Sequence, residues 1–208
     1  MPHSPYILDG EPIPSVTEVI SVINKPFLYA WFAKHGWKEC ERIKREAGEL
    51  GSRLHDCIER YLQGELIEVS GREGEMFEKF RQWKESNDFR PVELEKKVVS
   101  RQHRYHGTFD ALGTFGDSTE LIICDWKTSS QISDEYALQL SAYAAAYEEE
   151  TGIGVTRGLV VRMDKKASSK KQFEVKEFNG LPKYFDVFLS CLDVWNFVNK
   201  RERWSKEA

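Results

Sequence analysis

The sequence predicts an α/β fold in which a helical first part precedes a mixed sheet flanked by helices. Helix-type spacing dominates residues 1–90, and β-type segments follow at about 92–100, 105–115 and 120–127. A helix at about 133–150 and two more β-type segments come next, and this alternation is typical of α/β proteins. With 208 residues, 40% hydrophobic and 31% charged, the chain has the length and composition of a globular domain.

Turn and capping signals mark the start of the chain. The Asp9-Gly10 pair follows a short apolar segment and predicts an N-terminal hairpin. Ser15 and Glu18 stand three residues apart, the spacing of a capping box, so we expect a helix there that stops before Pro26.

Three further helices are predicted before the first long strand. They cover about 27–35, 37–62 and 72–85. The second of them contains Gly48 and Gly51, and glycine weakens a helix interior. We therefore expect this helix to loosen near those two residues.

The C-terminal part is predicted to complete one domain. Strands at about 154–163 and 172–178 are followed by an apolar-rich closing helix. We expect a single domain over 1–208, mainly helical over 1–90 and sheet-containing over 91–208.

The end of the third predicted long strand carries charged residues. Asp125 and Lys127 are two apart and share a face, while Cys124 and Trp126 take the other. Residues 121–123 are apolar on both faces, which is typical of a buried strand. A surface ion pair is the simple interpretation. A buried lysine instead needs a charge partner or a metal site, which predicts a cation site beside a phosphate.

Two other features favour a site. Asp110 ends the apolar run of the preceding strand. The following helix has polar aromatic residues and a glutamine on one face: Tyr136, Gln139, Tyr143 and Tyr147. Such a stripe is more often core, but the glutamine requires a polar partner.

Charge and cysteine content restrict the class of protein. The net charge is −4, yet residues 96–106 carry +4 and residues 157–176 carry +5. Local fields steer a polyanion even when the total is negative, although both segments can equally be ordinary solvated strands and turns. The four cysteines contain no close pair, which argues against zinc and disulfides and fits a reducing cytoplasm. No apolar run approaches the ~20 residues of a membrane span.

Four short motifs follow one another along the chain: Gly-x-x-x-His at 51–55, Gly-x-x-Asp at 107–110, Asp-x-Lys-Thr at 125–128 and Gln-x-x-x-Tyr at 139–143. Motifs in this order resemble the PD-(D/E)XK nuclease superfamily, in particular its RecB-like branch of phage exonucleases and the mitochondrial genome-maintenance exonuclease. Glu95 stands where the family has a glutamate, about a dozen residues before the Gly-x-x-Asp. The resemblance implies a restriction-endonuclease-like core with an N-terminal helical elaboration.

The resemblance also implies roles for individual residues. The expected catalytic residues are Lys127, Asp110, Asp125 and Glu95. The expected metal ligands are His55, Asp110, Asp125 and the carbonyl of Trp126. The residues expected to contact the substrate are Gln139, Tyr143, Arg101 and Arg104.

The implied activity is metal-dependent DNA exonuclease cleavage to 5′-phosphate products in recombination, repair or phage DNA processing. One or two Mg²⁺ or Mn²⁺ ions are expected, and no iron–sulfur cluster, because the late cysteine trio of some relatives is missing. The expected partners are linear DNA with an end and a recombination or single-strand-annealing protein, in the cytoplasm of a bacterial or phage-infected cell.

Two alternatives stay open at this point. The same core serves structure-specific and restriction-type endonucleases. A catalytically silent DNA-binding module of the same fold is the other alternative, although silent copies normally lose an acid or the lysine.

Overall fold

The computed structural model describes residues 6–199, so both ends of the predicted domain lie outside the described residues. The strands are β1 (Tyr6–Leu8), β2 (Glu11–Ile13), β3 (Phe89–Ser100), β4 (Tyr105–Phe115), β5 (Ile122–Lys127), β6 (Arg157–Met163) and β7 (Phe173–Asn179). The helices are α1 (Val16–Ile20), α2 (Pro26–His35), α3 (Trp37–Leu62), α4 (Gly71–Ser86), α5 (Glu135–Thr151) and α6 (Leu181–Asn199). None of these helices is long and apolar enough to cross a membrane.

The central sheet has five strands in the order β3-β4-β5-β6-β7. Only β5 and β6 run parallel, with Asp125 opposite Val160 and Lys127 opposite Arg162; the other neighbours are antiparallel. The parallel pair is joined through α5, as parallel strands require a crossover. The predicted mixed sheet flanked by helices is confirmed.

Two apolar cores lie on opposite faces of this sheet. One packs α1, α5 and α6 against residues such as Phe109 and Ile123. The other packs α3 and α4 against residues such as Cys124 and Trp126. Because Ile123 and Cys124 belong to different cores, β5 is covered on both faces, as its continuous apolar run predicts.

The predicted N-terminal signals are also confirmed. Asp9 and Gly10 turn the β1–β2 hairpin with positive φ angles of 52° and 81°. The capping box closes in both directions, because the backbone N–H of Glu18 donates to the Ser15 hydroxyl and the Glu18 carboxylate accepts from the Ser15 backbone N–H.

The expected loosening of the long helix is wrong. α3 is continuous through Gly48 and Gly51. Its buried residues Leu54 and Ile58 pack onto the sheet, and this packing outweighs the ~1 kcal/mol that a glycine costs a helix interior. Gly51 has a use, because a Cβ there would lie 3.4 Å from the Thr128 hydroxyl beyond β5.

Candidate active site

Asp125 and Lys127 form a buried ion pair where β5 ends. Asp125 is 2% exposed, and its Oδ2 lies 2.5 Å from the Lys127 Nζ. Apart from this ammonium, the buried Oδ2 has no hydrogen-bond donor among residues 6–199. The Lys127 Nζ also lies 5.0 Å from the ring centroid of Tyr136. The pair is therefore not the surface ion pair of the simple interpretation.

Asp110 and His55 meet beside this pair. The Asp110 Oδ2 accepts a hydrogen bond of 2.6 Å from the backbone N–H of Trp126, which ties β4 to the end of β5. The His55 Nδ1 lies 3.4 Å from Asp110 Oδ1. The His55 Nε2 lies 2.9 Å from the Trp126 carbonyl oxygen, which can only accept, so this nitrogen carries a proton. The structure thus brings together His55, Asp110 and the Trp126 carbonyl, as the resemblance implies.

Glu95 reaches the same place through an unusual backbone. Its φ is +44°, a conformation that non-glycine residues rarely adopt within a strand. Opposite it, Phe109 and Ala111 pack into different cores, although alternate residues of a regular strand share a face. One ligand atom each from His55, Glu95 and Asp110 lies within 4.8 Å of the others. Backbone strain of this kind is typically kept at functional sites.

The charges of the site perturb one another. Burial, followed by the charge of Asp110, raises the pKa of Glu95 to about 7. Burial also raises the pKa of Asp125 to about 6, although Lys127 opposes the shift. Burial alone would lower the pKa of Lys127, but the charges of Asp125 and Asp110 reverse this and raise it. The two carboxylates therefore favour the protonated, cationic form of Lys127.

Asp110 and His55 shift each other in opposite directions. Burial raises the pKa of Asp110, but His55, Lys127 and the Trp126 backbone N–H together outweigh burial and leave that pKa lowered. Burial lowers the pKa of His55, and the carboxylate of Asp110 reverses this to about 9.

The donor set fits a divalent cation. Three carboxylates converge here, and two of them have raised pKa values, as carboxylates do when they are crowded and desolvated. The buried Asp125 Oδ2 faces only the Lys127 ammonium among the donors of residues 6–199, so it can also accept a metal contact. Carboxylate oxygens suit Mg²⁺ and an added imidazole suits Mn²⁺. An open cavity of about 400 Å³ beside this cluster is lined by Glu95 and by the His55 face of α3.

Gln139 and Tyr143 form a hydrogen-bonded pair on α5. The Gln139 side-chain amide donates a 2.9 Å hydrogen bond to the Tyr143 hydroxyl, so the glutamine finds its polar partner within its own helix. The buried ring of Tyr143 packs on Gly107, where a Cβ would lie 2.3 Å from the ring. This contact explains why the motifs at 107–110 and 139–143 occur together.

Arg101 and Arg104 lie elsewhere. They sit in the turn between β3 and β4, six residues from Asp110 along β4, or about 20 Å. Arg104 donates a 3.1 Å hydrogen bond to Glu11, and Arg101 lies 3.6 Å from Asp9. The two arginines hold the N-terminal hairpin, and their contact with the substrate stays a prediction.

The basic segment at 157–176 is largely compensated inside the protein. Arg157 pairs with Glu120 and Glu177, at 2.5 and 2.9 Å. Lys171 pairs with Glu174, and Lys176 with Asp134. The free positive field of this segment is thus weaker than its sequence charge indicates.

The burial of Arg162, in the same segment, was not predicted from the sequence. It is 1% exposed and pairs with Asp164 and Glu174, both at 3.2 Å. It also donates to the carbonyls of Ser129 and Ser130, which follow the Asp-x-Lys-Thr motif. Its place in a continuous apolar run, Leu159 to Met163, is the sequence signal of this burial.

Glu59 was also missed. It lines the cavity together with His55 and Glu95. Its position four residues after His55 puts it on the same helix face, and this spacing is the signal that identifies it.

No curated protein matches the chain. The structure of SSO0001 superposes with a TM-score of 0.51 at 13% identity, over 93% of this chain and 79% of that one. An alkaline exonuclease from Laribacter hongkongensis superposes with a TM-score of 0.39 at 16% identity, over 94% of this chain and 95% of that one.

A sequence profile decides the family. The profile of the PD-(D/E)XK nuclease superfamily matches residues 68–193, more than half of the chain. This range includes Glu95, Asp110, Asp125 and Lys127, whereas His55 precedes it. By this match the chain belongs to the PD-(D/E)XK nuclease superfamily.

Proposed function

We propose that this protein is a metal-dependent deoxyribonuclease that hydrolyses phosphodiester bonds. One observation carries the proposal. His55, Glu95 and Asp110 converge within 4.8 Å at the place where the buried Asp125–Lys127 pair ends β5. A structural ion pair requires no such ring of donors, whereas phosphodiester hydrolysis requires charge neutralisation at the phosphorus.

The residues of the candidate site have separate roles in this proposal. His55, Glu95 and Asp110 would hold a Mg²⁺ or Mn²⁺ ion, with Asp125 and the Trp126 carbonyl as further ligands. A bound ion of this kind lowers the pKa of water and screens developing negative charge. Water oxygen bonds to phosphorus, the bond to the 3′ oxygen breaks, and that oxygen takes a proton, which leaves a 5′-phosphate product.

Lys127 supports this step as a charge. Its ammonium group remains protonated, so it stabilises negative charge on the phosphoryl oxygens. Asp125 and the Tyr136 ring hold the ammonium in place. Gln139 and Tyr143 shape the wall along which the substrate lies.

We further propose an exonuclease mode, acting on linear DNA in recombination, repair or phage DNA processing in the cytoplasm. A recombination or single-strand-annealing protein is the proposed partner. The motif resemblance to the RecB-like branch supports this mode. The silent-module alternative is disfavoured, because all the acids and the lysine of the motifs are present in one site.

The test is hydrolysis of end-labelled linear DNA with EDTA, Mg²⁺ or Mn²⁺. We expect no cleavage with EDTA and 5′-phosphorylated products with either metal, identified by mass spectrometry. Asp125→Asn should abolish cleavage, while Asp117→Asn, whose side chain is fully exposed in a turn, should not. Equal cleavage by wild type and Asp125→Asn would refute the proposed function.

A further inference from the structure

Helix α2 is apolar but buries nothing. Its ten residues carry four aromatic rings, counting no histidine, and none of its residues is buried. Phe27 is 65% exposed and Tyr29 68% exposed, and Trp37 at the start of α3 is 68% exposed. An exposed aromatic group of this size marks an interaction surface. We call α2 together with Trp37 the aromatic face.

The aromatic face is positively charged in an acidic protein. Residues 19–38 contain no aspartate or glutamate, whereas the whole chain carries −4. Lys34 and Lys38 have no carboxylate within ion-pair distance among residues 6–199. Lys44 lies 4.7 Å from the ring centroid of Phe32, and the Phe32 and Trp37 rings stack at 5.2 Å. Aromatic rings interleaved with lysines are typical of surfaces that bind single-stranded nucleic acid.

The aromatic face starts beside the candidate active site. Lys25, the residue before α2, pairs at 2.6 Å with Glu135 at the start of α5. The next residue, Tyr136, is the ring that holds the Lys127 ammonium. Between α2 and the segment before it lies an open groove of about 580 Å³, lined by Lys25, Tyr29 and Phe32 among others. This volume is in the range of small-ligand sites.

We infer that the aromatic face is a stacking platform for unpaired bases of the DNA strand that is cut in the active site. The inference rests on the proposed function and adds the substrate class, a single-stranded segment next to the scissile phosphate. Bases stack on the rings, and Lys34 and Lys38 contact the phosphates. A lipid surface and a second copy of the chain are the competing occupants. DNA is favoured as the occupant because Lys25, which lines the groove, pairs with Glu135, and the next residue, Tyr136, contacts the Lys127 ammonium.

The experiment measures binding of a 15-nucleotide single strand and of the matching duplex, by fluorescence anisotropy, to Asp125→Asn protein. Tyr29→Ala and Trp37→Ala are introduced into that background. Each should weaken binding of the single strand by about 5- to 100-fold, since base stacking on an aromatic side chain is worth ~1–3 kcal/mol. Leu66→Ala, at a 97% exposed apolar residue of the loop before α4, is the matched control and should bind normally. Thermal melting confirms that every variant is folded.

Unchanged single-strand affinity in both aromatic variants overturns the inference. The inference is also overturned if the aromatic variants keep their DNA affinity but change their sedimentation coefficient, which indicates a second copy of the chain as the occupant. The same holds if they keep DNA affinity but lose binding to anionic vesicles, which indicates a lipid surface. A second readout separates this inference from the proposed function. In otherwise wild-type protein, the aromatic variants should hydrolyse the p-nitrophenyl ester of thymidine 5′-phosphate at normal rates, because this substrate is too short to reach α2. Wild-type protein that cleaves neither DNA nor the ester would refute the nuclease function, while the binding measurement still decides the platform.

Discussion

At the residue scale, the two members of the buried ion pair, Asp125 and Lys127, should respond differently to substitution. Both sit at the end of β5, and the pKa of Asp125 is already raised to about 6 by burial. Asp125→Asn removes a buried carboxylate, and the charge of Asp110 still stabilises the Lys127 ammonium. Removing Lys127 is different, because it leaves a buried carboxylate without its cation.

We predict that Asp125→Asn and Lys127→Ala both lower turnover by at least ~10²–10³. Only Lys127→Ala should lose stability as well, by ~3–5 kcal/mol, since breaking a buried pair strands a charge. Turnover and urea unfolding of metal-free protein measure the two effects. Equal stability of the two variants would contradict the expected difference in stability. Normal turnover in either variant would contradict the assignment of that residue to the active site.

His55 is the residue whose role depends most on the fold, because it comes from α3 and not from the sheet. We predict that His55→Ala shifts the metal concentration needed for half-maximal turnover at least ~10-fold, and more for Mn²⁺ than for Mg²⁺, because imidazole suits Mn²⁺ better. Affinity for DNA should change less. A lower melting temperature with an unchanged metal titration would instead make His55 a packing residue.

Gly107 links two elements through a close approach. Its hydrogen faces the Tyr143 ring, and an added Cβ would lie 2.3 Å from that ring and 3.3 Å from Val16. We predict that Gly107→Ala destabilises the protein by ~1–3 kcal/mol, because the buried ring must move. Gly48→Ala is the matched control. Beyond its chain neighbours and the adjacent helix backbone, no atom of residues 6–199 lies within 4 Å of a Cβ built at Gly48 in α3, so that change should stabilise the protein by ~0.5–1 kcal/mol. Thermal unfolding compares the two.

Glu149 joins α5 to the turn between β3 and β4. Its carboxylate accepts hydrogen bonds from the Ser100 hydroxyl at 2.6 Å and from the backbone N–H of Arg101 at 2.8 Å. Burial opposes ionisation, but these hydrogen bonds leave the pKa of Glu149 below its ordinary value of 4.5.

The lowered pKa gives a pH-dependent prediction. A carboxyl with a lower pKa in the folded state stabilises the protein above pH 4.5, and this stability is lost as the pH falls through the folded value. Glu149→Gln should therefore cost stability at pH 7, by no more than ~1 kcal/mol because the side chain is exposed. The difference from wild type should shrink towards pH 3 in urea unfolding. A difference independent of pH would contradict the role of the charge.

The whole molecule places long helices on the side of the sheet from which the site opens. α3, with 26 residues, and α4, with 16 residues, lie on this side, and α3 carries His55 to the acids. α2 packs beside α3 with its exposed rings. We propose that these helices admit a DNA strand end-first.

We predict that covalently closed single-stranded circles resist digestion under conditions that degrade the linear form completely. Gel analysis of both forms over one time course is the measurement, and a circle nicked once in advance is the control. Efficient cutting of the intact circle would favour the endonuclease alternative.

Local patterns were enough to predict most elements and several site residues. The hairpin turn, the capping box and the apolar run before Asp125 act over a few residues, so their signals are complete in the sequence. The continuity of α3 through Gly48 was not predictable in this way, because packing of Leu54 and Ile58 on the sheet decides it. The positive φ of Glu95 likewise depends on its partner strand.

The sequence by itself determined the fold class and the family, because motif order and strand alternation can be read from the sequence alone; it also predicts Glu95, Asp110, Asp125 and Lys127 as site residues. Only the tertiary structure decided which charges are free. Arg104 and Arg157 are basic in the sequence but paired with acids that are 93 and 20 residues distant, and such pairs form only after the chain has folded. The same holds for α2, which is core-like in composition although none of its residues is buried.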